Sequence, residues 1–180
     1  RDPEMSRGLG DVYKRQPRGF NIDVEFMIWR TIGTLEQAFE LVKMADRPNC
    51  TIAVDSLHLY RSGGSHFDLD KIPQKYLGEI HLCDAVINGP IDKKLVEAQR
   101  AGTLKVESTA GTPKGFEGVV KEAREGRLIP GVGELPLVEF LRHMPERPIG
   151  VEVPLPGYQT QRVFDLTYKY SQDLLNQLCS

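Results

Sequence analysis

A parallel α/β fold built from successive βα units is what this sequence predicts, and three observations predict it. The strand-like runs are short and apolar without inside–outside alternation, the pattern of strands covered on both faces. An amphipathic segment stands between the first two runs, as a crossover helix must between parallel neighbours. Each run also carries a metal-competent side chain at or near its C-terminal end: Glu25, Asp55, His81 and Glu152. The first three are separated by 30 and 26 residues, close to one βα repeat each. In parallel α/β barrels such positions converge on one face, where these folds place their active sites.

The N-terminus is expected to lie outside the fold. DVYKRQ, residues 11–16, is what GAT GTG TAT AAG AGA CAG encodes, and that DNA resembles a transposon adapter used in sequencing libraries. RDPEMSRGLG before it has no apolar period. Residues 1–18 therefore read as a disordered read-through scar that packs against nothing, and residues 19–180 as the domain. On this reading the native chain starts further upstream.

The first strand is FNIDVEF (20–26), where Asp23 and Glu25 share a face and Glu25 lies nearer the C-terminal end. TLEQAFELVKMAD (34–46) follows as a helix, with Thr34 as N-cap and Leu35, Ala38, Phe39, Leu41, Val42 and Met44 mostly on one face. RPN turns the chain into CTIAVD (50–55), and LGEIHLCD (77–84) is the third strand. IDKKLVEAQRAG and KGFEGVVKEAREG each suit a short helix, separated by the polar KVESTAGTP. LPLVEFLRHM (135–144) is a helix ended by Pro145, and PIGVEV (148–153) is the fourth strand. The chain closes with a long helix whose apolar stripe is Val163, Phe164, Leu166, Leu174 and Leu178.

Composition excludes several classes of function. A net charge of −2 gives no basic surface for nucleic acid or anionic membrane, and no run approaches a membrane span. Cys50, Cys83 and Cys179 have neither metal nor redox spacing, which suits reduced thiols in a cytoplasmic protein.

Three carboxylates and one imidazole form a mostly hard oxygen donor set, suited to Mn²⁺, Mg²⁺ or Co²⁺ and compatible with Zn²⁺. A single acidic residue at a strand end is commonly only a helix cap. Four in register favour a site. Arg61 and the glycines of RSGGS read two ways, as a clamp for a substrate carboxylate or phosphate or as a tight turn needing φ > 0. Trp29, with Phe26 and Tyr60, offers an apolar wall for a sugar face, although Phe26 equally suits the core. PGVG (130–133) reads as a rigid loop placing Arg127 at the pocket mouth. His66 and His143 read as surface residues.

DSLHLYRSGG, IHLCDA, EGRLIPGVGELPL and PIGVEVP, in this order and spacing, resemble successive blocks of the sugar phosphate isomerase/epimerase family, a xylose isomerase-like TIM barrel. The resemblance runs from about residue 20 to 160 and weakens over 85–115. It implies the C-terminal half of such a barrel, its fifth to eighth βα units. It also implies that Glu25, Asp55, His81 and Glu152 are the metal ligands and that His58 and Arg127 contact substrate. The implied activity is metal-dependent isomerisation or epimerisation of a sugar, or sugar phosphate, through an enediolate, with Glu25 and Glu152 exchanging the proton. The implied partner is a small sugar or keto-polyol, with room for a homo-oligomer.

Two rivals share this scaffold. A dehydratase would use the same metal and then expel a β-hydroxyl. The apurinic endonuclease branch needs further histidines and a His-containing block that EGRLIPGVGE lacks. A non-catalytic binding protein with a degenerate site fits poorly with a full ligand set. An inactive fragment is the remaining reading, because half a barrel leaves two open sheet edges.

Overall fold

The computed structural model describes residues 19–104 and 111–179. The scar expected over residues 1–18 lies outside them, as do residues 105–110 of the polar segment. Four strands, β1 (Ile22–Glu25), β2 (Cys50–Asp55), β3 (Leu77–Leu82) and β4 (Ile149–Val151), form one sheet in that order, with every pair parallel. The expected parallel α/β architecture is therefore present, with shorter edge strands. β1 starts only at Ile22, and β4 ends at Val151 although the Glu152 N–H still donates to Leu82 O at 3.1 Å.

Seven α-helices connect and follow these strands among the described residues: α1 (Leu35–Ala45), α2 (Ser56–Arg61), α3 (His66–Leu69), α4 (Lys93–Arg100), α5 (Glu117–Glu125), α6 (Leu137–His143) and α7 (Thr160–Leu178). α1 starts where expected, since Thr34 Oγ1 accepts from the Gln37 N–H at 3.3 Å. It buries Leu35, Ala38, Leu41, Val42 and Ala45, while Met44 turns to solvent. α2 and α3 were not expected. α2 forms because Asp55 at the end of β2 caps it, accepting the His58 N–H at 2.9 Å.

The core lies between the helices and the outer sheet face, which presents Ile52, Val54, Leu77, Ile80 and Leu82. Phe26 belongs to it and is fully buried, so its core reading is the right one. Each such side chain contributes about 1.5–3 kcal/mol through burial. The opposite face is polar and carries Asp23, Glu25, Thr51, Asp55, Glu79, His81 and Glu152 by strand alternation.

Strand periodicity alone would have misaligned that polar face. Ile52 pairs with Leu77, so a regular ladder would set Asp55 opposite Ile80, whose side chain points into the core. An irregularity instead inserts one residue in β3, and Asp55 pairs with His81. Gly78 sits in this stretch, where an added Cβ would meet Thr51 Oγ1 at 2.5 Å and Asp23 Oδ1 at 2.6 Å. Asp23 accepts from Thr51 Oγ1 and, at 3.4 Å, from the Glu79 N–H, which joins three strands one layer below the site.

The expected apolar stripe of α7 is buried only in its C-terminal half. Leu174 is in the core, whereas Phe164 is 63% exposed. The N-terminal half of α7 faces Ile149, Val151 and Val153 across an open groove of about 640 Å³, which no described residue fills. No described helix is long and apolar enough to cross a membrane.

Candidate metal centre

Glu25, Asp55, His81 and Glu152 meet at the C-terminal ends of the strands. One donor atom from each lies within 4.8 Å of the others. Donors bound to one cation at about 2.0–2.2 Å must stand roughly 3–5 Å apart, so the set fits a divalent ion. Three oxygens and one nitrogen suit a hard or borderline cation. His81 Nδ1 stands 3.1 Å from Glu25 Oε1 and 3.4 Å from Glu152 Oε2, which places the imidazole between the two glutamates. The hydrogen bond with Glu25 pushes the His81 pKa up to about 9 against the effect of burial.

Asp55 is a helix cap and also a member of the convergent cluster. Its Oδ1 caps α2, and its Oδ2 faces Arg127 in a fully buried ion pair. Arg127 was expected at the pocket mouth. It is instead buried among the candidate ligands, because its Nη2 also reaches Glu152 Oε1 at 3.3 Å and His58 Nε2 at 3.4 Å. Its Nε donates to Ala123 O at 2.8 Å, tying it to the end of α5. Burial would lower the Arg127 pKa, but Asp55, Cys83 and Glu152 raise it, so the charge is secure.

His58 is buried beside Trp29, with ring centroids 5.2 Å apart in an edge contact. Arginine can only donate, so His58 Nε2 accepts and Nδ1 carries the proton in the neutral ring. Burial lowers the His58 pKa, which favours that neutral form. Its Nδ1 is buried and has no hydrogen-bond partner among the described residues.

Arg61 requires a correction. The structure does not bring it to the ligands: Nε and Nη2 pair with Glu122 at 2.7 Å each, and Nη2 and Nη1 reach Val86 O and Ile87 O at 2.7 and 3.3 Å. These partners take four of its five N–H donors and pin α2 to α5. The glycines of RSGGS follow the turn reading. Gly63 has φ +75°, and the N–H groups of Gly63 and Gly64 close the end of α2 on Tyr60 O and Leu59 O. Tyr60 is occupied too, its hydroxyl lying 3.2 Å from His66 Nδ1. His143 is not a free surface residue, since Nδ1 bonds Asp70 at 2.8 Å.

One residue of the centre was missed by sequence reasoning. Asp84 follows β3, and its carboxylate accepts from the backbone N–H groups of Ala85, Gly131, Gly133 and Leu135 at 2.8–3.0 Å. The only signal was the pairing of an acidic residue after a strand with two glycines far along the chain.

Comparison with known proteins places the fold. The profile of xylose isomerase-like TIM barrels matches residues 5–170. The IolI protein, solved with a bound zinc atom, is similar over 97% of this chain and 57% of its own length, with a TM-score of 0.66 and 19% identity. A fusion of a xylose isomerase-like TIM barrel with 4-hydroxyphenylpyruvate dioxygenase matches 97% of this chain and 25% of its own, with a TM-score of 0.70 and 20% identity. A xylose isomerase domain protein from Alicyclobacillus acidocaldarius gives a TM-score of 0.60 at 19% identity, over 94% of this chain and 55% of its own. The chain thus spans little more than half the length of IolI and of the Alicyclobacillus protein. No curated protein sequence matches it significantly.

Proposed function

The chain belongs to the xylose isomerase-like TIM-barrel family, and we propose that it carries the metal-binding, proton-moving face of a sugar (or sugar phosphate) isomerase or epimerase. The observation that carries this reading is the convergence of Glu25, Asp55, His81 and Glu152 donors within 4.8 Å. These four residues would hold the cation, with Mn²⁺, Mg²⁺ or Co²⁺ favoured by the oxygen-rich set. Zn²⁺ remains in the same class, as in the zinc-bound IolI structure. When bound, the metal supplies Lewis acidity that stabilises negative charge on an enediolate.

The chain's own residues then divide the work. Glu25 and Glu152 flank His81 through its Nδ1, so two carboxylates stand on either side of the same locus. One takes the C–H proton next to the substrate carbonyl. The other returns a proton to the opposite face, giving the epimer, or to the adjacent carbon, giving the aldose–ketose isomer. Arg127 holds Glu152 Oε1, which leaves Oε2 directed at His81. The partnerless Nδ1–H of His58 is suited to a substrate hydroxyl, and Trp29 orients that imidazole from its edge. Small sugars or keto-polyols are the substrate class, and the reduced Cys50 and Cys83 suit a cytoplasmic setting.

The test is interconversion of a panel of sugars and sugar phosphates. Chelation is expected to abolish turnover and Mn²⁺, Mg²⁺ or Co²⁺ to restore it. Glu152→Gln keeps the shape but removes the base, and is expected to lower turnover by ~10²–10⁴-fold. Undiminished turnover in the chelated protein overturns the proposal, and loss of water from the product would reassign it to a dehydratase.

A further inference from the structure

The carboxylate of Asp84 is 1% exposed and has a loop wrapped around it. Oδ1 accepts from Ala85 N at 2.8 Å and Leu135 N at 3.0 Å, and Oδ2 from Gly131 N and Gly133 N at 2.9 Å each. The two glycines make the wrap possible. Gly131 has φ +85°, and a Cβ on Gly133 would meet Asp84 Oδ1, with Ala85 O at 2.7 Å. A connection from α5 to α6 needs no buried charge at its centre, and burying one is costly unless it is fully hydrogen-bonded.

The cage has a second point of attachment. The backbone of Asp84 exchanges both hydrogen bonds with Leu128, each at 2.8 Å. Leu128 follows Arg127, whose guanidinium reaches Asp55, Glu152 and His58. Side chain and backbone of one residue therefore fix both ends of the segment 128–135 that begins beside Arg127.

We infer that Asp84 is a positioning residue for the metal centre: by folding residues 128–135 around its carboxylate it fixes Arg127 against Asp55 and Glu152. The inference rests on reading that centre as a cation site. It makes Asp84 act through Arg127 without touching metal or substrate.

The experiment uses the full chain and Mn²⁺ alone, titrated by electron paramagnetic resonance. Wild-type binding first establishes whether the centre takes a cation, independently of Asp84. Asp84→Asn turns an amide NH₂ toward N–H donors in either orientation. Gly133→Ala disrupts the same contact from the loop side and keeps the carboxylate, so it carries the test where Asp84→Asn does not fold. Each is expected to weaken Mn²⁺ binding by roughly 10–100-fold, as Arg127→Met does, the range for groups that orient metal ligands. Asp84→Asn is expected to add nothing in the Arg127→Met background. Losses that multiply in the double variant, or full affinity in Gly133→Ala, overturn the inference. Should the wild type take no Mn²⁺, the cation reading fails alone, and the Arg127 Nε–H signal in a ¹⁵N spectrum decides the positioning role. Its solvent exchange should be at least roughly tenfold faster in Gly133→Ala than in the wild type, and equal exchange refutes it.

Discussion

At the C-terminal end of β2 the chain is packed on every side, whereas along β4 and the first half of α7 it is open. Asp55, His58, Asp84 and Arg127 are buried and, His58 Nδ1 apart, bound to named partners. Along the edge, Ile149, Val151, Phe164 and Tyr168 keep large exposed areas around the groove. Glu152 belongs to both regions. Its side chain is 46% exposed, and what fixes it is Arg127 rather than packing. The contrast shows that the candidate site takes its precision from the centre of the sheet, and that its edge ligand is positioned by a charge anchored there.

The largest expected difference between the two regions is in thiol reactivity. Cys83 is buried in the centre beside Arg127 and Ser56, while Cys179 is exposed just past α7. Burial, reinforced by Asp55, pushes the Cys83 pKa up to about 12. The reactive thiolate is thus scarce at Cys83 as well as inaccessible. The sign follows directly: raising the pH from 7 to 9 stays far below that pKa and should not open Cys83 to reagent. Under native conditions Cys179 should react at least on the order of 10³-fold faster, for an opening free energy near 5 kcal/mol. Mass spectrometry of timed alkylation reads both sites. Comparable rates would show that the centre opens locally and that its packing does not hold the ligands.

Next in size is the buried ion pair. Arg127→Met leaves the Asp55 carboxylate fully buried without its partner and should cost about 3–5 kcal/mol in urea unfolding. The pair between Arg100 and Glu36, at 3.0 Å on the surface, is the control, since its removal should cost no more than about 1 kcal/mol. Equal costs would mean that the centre is as solvated as the surface.

The same contrast explains what the sequence disclosed. Parallel strands were legible from short apolar runs joined by a crossover helix, although only β2 is buried along nearly its whole length, and the candidate ligands stood out because each falls where its strand runs out. Thr34 was legible as a cap for a local reason, the bond to Gln37 three residues on. The bulge at Gly78 was hidden, because periodicity reports the face of a residue and not its register with a neighbour. Arg61 was misread because its partner Glu122 lies in a distant helix, and spacing around RSGG carries no trace of it. Asp84 was passed over for the same reason, three of its four N–H donors lying in the segment that ends at Leu135. Long-range pairs between charged groups and backbone leave little local pattern.

The smallest effect expected is also the sharpest test of the edge. Phe164 lies in the apolar stripe of α7 and by composition reads as core, yet it is 63% exposed and among the described residues stacks on Tyr168, ring centroids 6.3 Å apart. Substitution away from buried contacts usually changes stability by no more than about 0.5 kcal/mol, so Phe164→Ser should leave the urea midpoint almost unmoved. Phe140 on α6 is the matched position, equally aromatic and fully buried, and Phe140→Ala should cost about 3–5 kcal/mol. Serine also removes apolar surface from an open groove, which should improve solubility. A cost for Phe164→Ser approaching that of Phe140→Ala, measured on the same chain at several protein concentrations, would mean that the groove is covered in solution. If the cost grew with protein concentration, the cover would be another copy of the chain.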